Sequence, residues 1–376
     1  MRALQKYLAR HCEPESAALA DAVKGHYEHV LIVPAYDEDH AGIATLAQQC
    51  RVANALLILI VNAPADAPAA SRARTLNLLK QQPDKYVLVV DRVTTPLNPR
   101  AGVGLARKLG SDTGLQLIAR GVVAQPWLYQ TDADVTLPPD YFARAMPANG
   151  TAIFPYRHVA AEPALARAIE LYDLHLDYYV SGLKFAGSTY AYPSLGSTLV
   201  IHADSYAAVH GFPKRNAGED FHMLNKLNKI APIEPLAAPQ LLISARHSQR
   251  VPFGTGPALA KITAQLNKPG HTERDILSYH PAVFELLGQA LTELHTFAHT
   301  ADTAGFSPDI ASLLAQLGWS GVATSFTQPS LTPTQRSKAI TDWFDALRSL
   351  RFIHLGQKLY PDQSLLTTLE TLAWPL

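Results

Sequence analysis

Thr131-Asp132-Ala133-Asp134 places two carboxylates one residue apart, after the apolar stretch Pro126-Trp127-Leu128-Tyr129 and before Leu137-Pro138-Pro139. Two acids at a strand end point into one open space. There they can hold a hard divalent cation through oxygen, the chemistry a diphosphate leaving group calls for. A second acidic pair, Gly218-Glu219-Asp220-Phe221, opens a helical stretch from His222 to Lys229. One of these acids can take the proton of an attacking hydroxyl. Acids at a helix start are also what the helix dipole favours, so the pair has a purely structural explanation beside the chemical one. An isolated Asp-x-Asp is common in exposed loops. The order of the surrounding features gives this one its weight.

The elements that must position these acids read as follows. His29-Val30-Leu31-Ile32-Val33 is a short β-branched run ended by Pro34 and followed by Ala35-Tyr36-Asp37-Glu38. Such a run predicts a buried parallel strand with acids at its C-terminal end, where open α/β sheets bind ligands. Further strands are predicted at 56–61, 86–90, 127–130, 151–156 and 197–202, with helices over 41–52, 69–81 and 104–119 between the early ones. That alternation predicts an α/β fold with a mainly parallel sheet flanked by helices. Gly102-Val103-Gly104-Leu105-Ala106-Arg107-Lys108-Leu109-Gly110 is a glycine-rich turn entering a helix. It reads either as a phosphate cradle or as a helix start with solvated cations, and its spacing is not the dinucleotide fingerprint.

These four segments, in this order, resemble the family 2 glycosyltransferases, which have the GT-A fold. The resemblance runs over roughly residues 28–256. It implies an inverting, metal-dependent transfer of a sugar from a nucleotide-diphosphate sugar to a hydroxyl on a saccharide, lipid or small molecule. Pro34, Ala35, Tyr36, Asp37 and Glu38 would line the nucleotide, with a carboxylate on a base N–H. Asn62 stands where the family usually has an aspartate, with Asp66 or Asp91 as possible substitutes. Arg107 or Lys108 would meet the base or the diphosphate, and Asp132 the ribose or sugar. Asp134 and Asp132 would hold Mn2+ or Mg2+, with His247 as a candidate third ligand. Asp220 would be the base and Glu219 would orient it. Arg246 and Arg250 would bind phosphate oxygens on a loop, 244–256, that closes over the donor.

Two other functions fit parts of the chain. A nucleotidyltransferase has a similar sheet and paired carboxylates, but wants a glycine-rich Arg/Lys signature where this chain has Ala35-Tyr36-Asp37-Glu38. A non-catalytic partner protein on a decayed sheet domain is disfavoured by the intact acids.

The 376 residues are 48% hydrophobic and 17% charged, which excludes a disordered chain. Equal numbers of basic and acidic residues, 32 each, argue against a nucleic-acid binder that works by bulk charge. Cys12 and Cys50 make neither a disulfide framework nor a zinc pattern. The first residues lack a signal-peptide core, and the longest apolar run, 55–61, is too short to span a bilayer. The expectation is a cytoplasmic protein with no transmembrane segment, peripheral membrane contact remaining open. Residues 1–256 are expected to form the GT-A domain, with a nucleotide-sugar half at about 28–135 and an acceptor half at about 136–256. Residues 257–376 are expected to form a C-terminal helical extension. Residues 1–27 read as one helix, and 236–256 as irregular. The tyrosines from Tyr172 to Tyr192 read as a sugar platform or as core.

Overall fold

The first strand, β1 (His29–Ala35), is buried from Val30 onward, as a strand covered on both faces must be. A computed structural model describes residues 2–80, 84–96, 101–160, 162–246, 254–302 and 305–376. The chain divides into two units: residues 1–166 with 194–257, and residues 167–193 with 258–376. The second unit thus includes a segment expected in the first.

The sheet unit begins with α1 (Arg2–Arg10) and α2 (Ser16–Ala22). One helix was expected here, but Pro14 lies between them, and proline cannot continue a helix through its interior. After β1 come α3 (His40–Val52), β2 (Ala55–Asn62), α4 (Ala69–Asn77), β3 (Val87–Arg92), α5 (Gly102–Ala119) and β4 (Trp127–Gln130). Then follow β5 (Val135–Thr136), β6 (Thr151–Ile153), β7 (Tyr156–Val159), β8 (Leu199–His202), α7 (Ala203–Ala208), α8 (Glu219–Asn228), β9 (Ile233–Pro235) and β10 (Leu241–Ser244), with α6 (Pro163–Phe185) entering the chain between β7 and β8.

Among the described residues, seven strands form one sheet in the order β3-β2-β1-β4-β8-β6-β9, with β8 antiparallel to both neighbours and the other pairings parallel. The sheet is therefore mainly parallel and flanked by helices. Side-chain alternation separates its faces. Leu31, Val33, Leu57 and Leu59 pack with Ile43, Leu46 and Cys50 of α3. The opposite face receives α5 so closely that a Cβ on Gly110 would come within 2.6 Å of Ile32. The chain runs outward from β1 to β2 and β3, then returns to set β4 on the other side of β1. The order reverses between β1 and β4, and ligands bind outside the strand ends at such a reversal.

Pro34 was expected to end β1, yet it lies within it, level with Ile60 of β2. Pairing with β4 stops at Ile32–Gln130, and Ile32 O accepts from Thr131 N. Pro34 faces the same side two residues on, so its missing N–H falls where β4 has already left the sheet. A second sheet joins β5, β10 and β7. Its strand β10 lies in the stretch expected to be irregular.

The helical unit comprises most of α6, α9 (Thr255–Leu266, from residue 258), α10 (Ala282–Thr300), α11 (Pro308–Gln316), α12 (Ala323–Phe326), α13 (Pro333–Trp343), α14 (Ala346–Gly356) and α15 (Leu365–Glu370), with a two-strand ribbon β11 (Leu277–Ser278) and β12 (Gln363–Ser364). Its core gathers Tyr178, Phe284, Leu287, Phe297, Trp319 and Phe352. Tyr190 and Tyr192 are also buried and Tyr179 packs against this core, so these tyrosines pack as core, whereas Tyr172 is half-buried. Thr332 and Gln335 form a capping box ahead of Pro333 at the expected helix start. Among the described residues, no helix is long and apolar enough to cross a membrane.

Candidate functional site

The reversal between β1 and β4 brings together acids that are far apart in sequence. β4 ends at Gln130 and delivers Asp132 and Asp134, while β1 ends at Ala35 and delivers Asp37 and Glu38. β10 reaches the same place because it pairs with β5, directly after Asp134, and Ser244 N donates to Asp134 O at 3.0 Å. That pairing carries Arg246 inward. Its Nη2 donates to Glu38 at 2.5 and 2.6 Å and lies 3.0 Å from Asp134 Oδ2. Burial alone would lower this guanidinium; Glu38, Asp134 and Asp132 hold it above its ordinary value.

The other half of the cluster centres on α5 and the start of α8. Arg107 is 2% exposed. Its Nη2 donates to Asp132 Oδ1 at 2.6 Å and its Nε to Glu219 Oε1 at 3.0 Å. α8 begins at Glu219, not at His222, so both acids stand in its first turn. Burial and the adjacent Asp220 charge push Glu219 up to about 7 against the pull of Arg107. Burial also raises Asp220, although the Phe221 N–H, which donates to its carboxylate at 2.7 Å, and the nearby Gly196 backbone both pull it down. A raised carboxylate in a crevice is suited to proton transfer near neutral pH. Among the described residues, the cluster of Glu38, Asp132, Asp134, Glu219 and Asp220 holds more acids than cations, the cations being Arg107 and Arg246.

Asp132 and Asp134 offer hard oxygen donors. Among the described residues no group of three or more His, Cys, Asp or Glu could hold a metal ion, and His247 and Arg250 lie outside the described residues. Two carboxylates completed by substrate phosphates are nonetheless how Mg2+ is commonly bound, so this donor set fits a cation that arrives with a diphosphate.

Several expected residues have other partners. Asp37 adopts a left-handed backbone, φ 55°, with its N–H on Thr75 Oγ1 and its carboxylate on Arg74, so its oxygens are already engaged at the rim. Asn62 sits at the end of β2, 9% exposed, with Oδ1 lacking a hydrogen-bond partner. Asp91 instead caps its own turn, accepting from Val93 N and Thr94 N. Lys108 is not solvated. Its Nζ donates to Tyr7 Oη at 2.6 Å, Asp112 Oδ2 at 2.9 Å and His11 O at 2.9 Å. The glycines of α5 serve packing: Gly110 lies on the sheet, and Gly104 abuts the backbone of residues 213–215, its N–H donating to Arg215 O at 2.8 Å. Neither the cradle nor the solvated-cation reading describes this helix.

Sequence reasoning missed the turn at Gly196. It touches both Arg107 and Asp220, and Pro193-Ser194-Leu195-Gly196 was legible only as a turn signal. In comparison with known proteins, no family model matches the chain and no curated protein matches it.

Proposed function

We propose that this protein is an inverting glycosyltransferase of GT-A type, similar to family 2. It would move a sugar from a nucleotide-diphosphate sugar to a hydroxyl on a saccharide, lipid or small molecule. The observation that carries the reading is the convergence of Glu38, Asp132, Asp134, Glu219, Asp220 and Arg246 outside the reversal between β1 and β4.

In this reading the nucleotide lies over the ends of β1 and β2, where Asn62 Oδ1 has an unfilled acceptor position. Arg246 turns its forked donors from Glu38 and Asp134 to phosphate oxygens. Asp132 and Asp134 would hold a divalent cation, Mn2+ or Mg2+, together with the diphosphate, and it would supply Lewis-acid assistance to the departing group. The acceptor oxygen attacks the anomeric carbon from the face opposite the diphosphate. The new C–O bond forms as the old one breaks, and that electron pair leaves on the diphosphate. Asp220 takes the hydroxyl proton, a step for which its raised affinity for protons is suited. Glu219 lies beside it and shares its burial.

A thermal-shift screen of nucleoside diphosphates with and without Mn2+ tests the reading. A ligand of the folded state raises the melting temperature by mass action, so at least one diphosphate should do so more strongly with the metal. Its nucleotide sugar should then be hydrolysed slowly without acceptor. If no diphosphate shifts melting with either Mn2+ or Mg2+, the reading is wrong.

A further inference from the structure

We propose that Arg107 is a positioning residue, a strut that fixes the Asp132 turn to the Glu219-Asp220 start of α8, and not a ligand for base or diphosphate. This deepens the glycosyltransferase reading and rests on it for what the tied acids do.

Three nitrogens of one side chain reach two separate elements. Nη2 meets Asp132 Oδ1 at 2.6 Å, Nε meets Glu219 Oε1 at 3.0 Å, and Nη1 lies 3.5 Å from Thr131 O. The side chain is 3% exposed, so a nucleotide cannot approach it without unpacking the site. Asp132 is held through one oxygen and remains 39% exposed, so it can meet a ligand from the front while Arg107 fixes it from behind. Gly196 closes the remaining side. A Cβ there would lie 2.6 Å from Nη2, and the backbone of the same residue lies beside Asp220. One turn therefore covers the strut and lies beside the second acid.

Lysine cannot replace this group. It carries the charge on a single nitrogen, whereas the planar guanidinium fits two carboxylates in fixed directions. Removing it would leave Glu219 buried without its counter-charge.

The experiment compares Arg107→Lys and Gly196→Ala with the unmodified protein. Gly196→Ala presses on the guanidinium without removing its charge. Amide hydrogen exchange at Phe221, whose N–H holds Asp220, should quicken by about tenfold or more in both variants. Exchange at Leu57, which donates to Tyr86 O inside the sheet, should not change. Titration calorimetry with a nucleoside diphosphate and Mn2+ should give a Kd within about threefold of the unmodified protein, while kcat falls by roughly a hundredfold, the usual result of misplaced groups. A Kd raised more than about tenfold with kcat retained would make Arg107 a ligand contact and overturn the proposal. Unchanged exchange at Phe221 in both variants would also overturn it. If the unmodified protein binds no diphosphate, the glycosyltransferase reading fails, and the exchange data still decide the role of Arg107.

Discussion

Each unit of this protein buries an arginine, and the two are treated differently. Arg336 of the helical unit is 8% exposed and donates to backbone carbonyls: Phe326 O at 2.7 Å, Ala298 O at 2.8 Å and Leu331 O at 3.4 Å. Ala298 and Phe326 lie in the last turns of α10 and α12, where carbonyls lack partners within their own helices. The guanidinium satisfies them, and no buried carboxylate is involved. Arg107 of the sheet unit donates instead to Asp132 and Glu219, and burial raises Glu219 and its neighbour Asp220. One arginine completes hydrogen bonds that folding would otherwise leave open. The other holds charges that the sheet unit would be easier to fold without. In the proposed glycosyltransferase reading, that expense serves the transfer step.

The largest expected effect separates the two units by activity. Asp220→Asn keeps the shape of the side chain and removes its ability to take a proton. Turnover should fall by about a thousandfold or more, with diphosphate affinity nearly unchanged, because a base acts mainly in the transition state. Melting temperature should hold or rise, since the folded site disfavours the ionised acid. Loss of donor affinity with turnover kept would make Asp220 a binding residue.

Arg336→Met should do the reverse. It leaves the carbonyls of Phe326 and Ala298 buried without a donor, at a cost on the order of 3 kcal/mol in unfolding free energy. Denaturant unfolding should register the loss, while diphosphate binding well below the new midpoint stays as it was. If Arg336→Met abolishes binding in folded protein, the contrast between the two arginines breaks down.

A smaller effect is expected from Asp134→Ala. Its carboxylate is partly exposed and lies against Arg246 at 3.0 Å, outside the apolar core. Mn2+ affinity in the presence of a nucleoside diphosphate should weaken by about tenfold to a hundredfold, measured by electron paramagnetic resonance of free Mn2+, with melting little changed. Equal Mn2+ affinity in the two proteins would remove Asp134 from the cation site.

Much of this architecture was legible in the sequence, and the reason is local. β1, β2 and β4 are short apolar runs whose burial demands a sheet, and β4 matches its expected bounds of 127–130. The acids at their ends could be placed because strand ends are where such sheets bind. What was not legible depends on tertiary partners. Arg107 and Glu219 are separated by 112 residues, and nothing near either announces the pair. The glycines of 102–110 looked like a ligand loop because close helix packing and close ligand approach ask for the same residue. The strand β10 was missed because it is a four-residue strand whose pairing with β5 and β7 exists only once the site has assembled. Tyr178, Tyr190 and Tyr192 could have been platform or core on spacing alone, and burial decided for core.

The smallest expected effect concerns stability against pH, and it sets Glu219 of the sheet unit against Glu273 of the helical unit. Glu273 is held low by its hydrogen bond to Arg167, so its contribution is present above the ordinary carboxylate value and is lost only as pH falls below it. Glu219 is moved the other way, from 4.5 up to about 7, by burial and Asp220. The folded protein then binds a proton more tightly than the unfolded chain between about pH 4.5 and 7. That contribution is fully present below the lower value and disappears as pH rises through the upper one. In Glu219→Gln the group no longer titrates. The difference in stability between the unmodified protein and this variant, followed by melting temperature, should therefore grow in favour of the unmodified protein as pH drops from 8 to 5. Its slope is on the order of 1 kcal/mol for each step of one in pH within that window. Groups that do not interact with Glu219 are common to both proteins and cancel in the difference. Glu273 remains ionised there and adds no slope. A difference that stays flat from pH 8 to 5 would mean that Glu219 is ionised throughout, held by Arg107 as firmly as Glu273 is held by Arg167, and the two regions would then treat their acids alike.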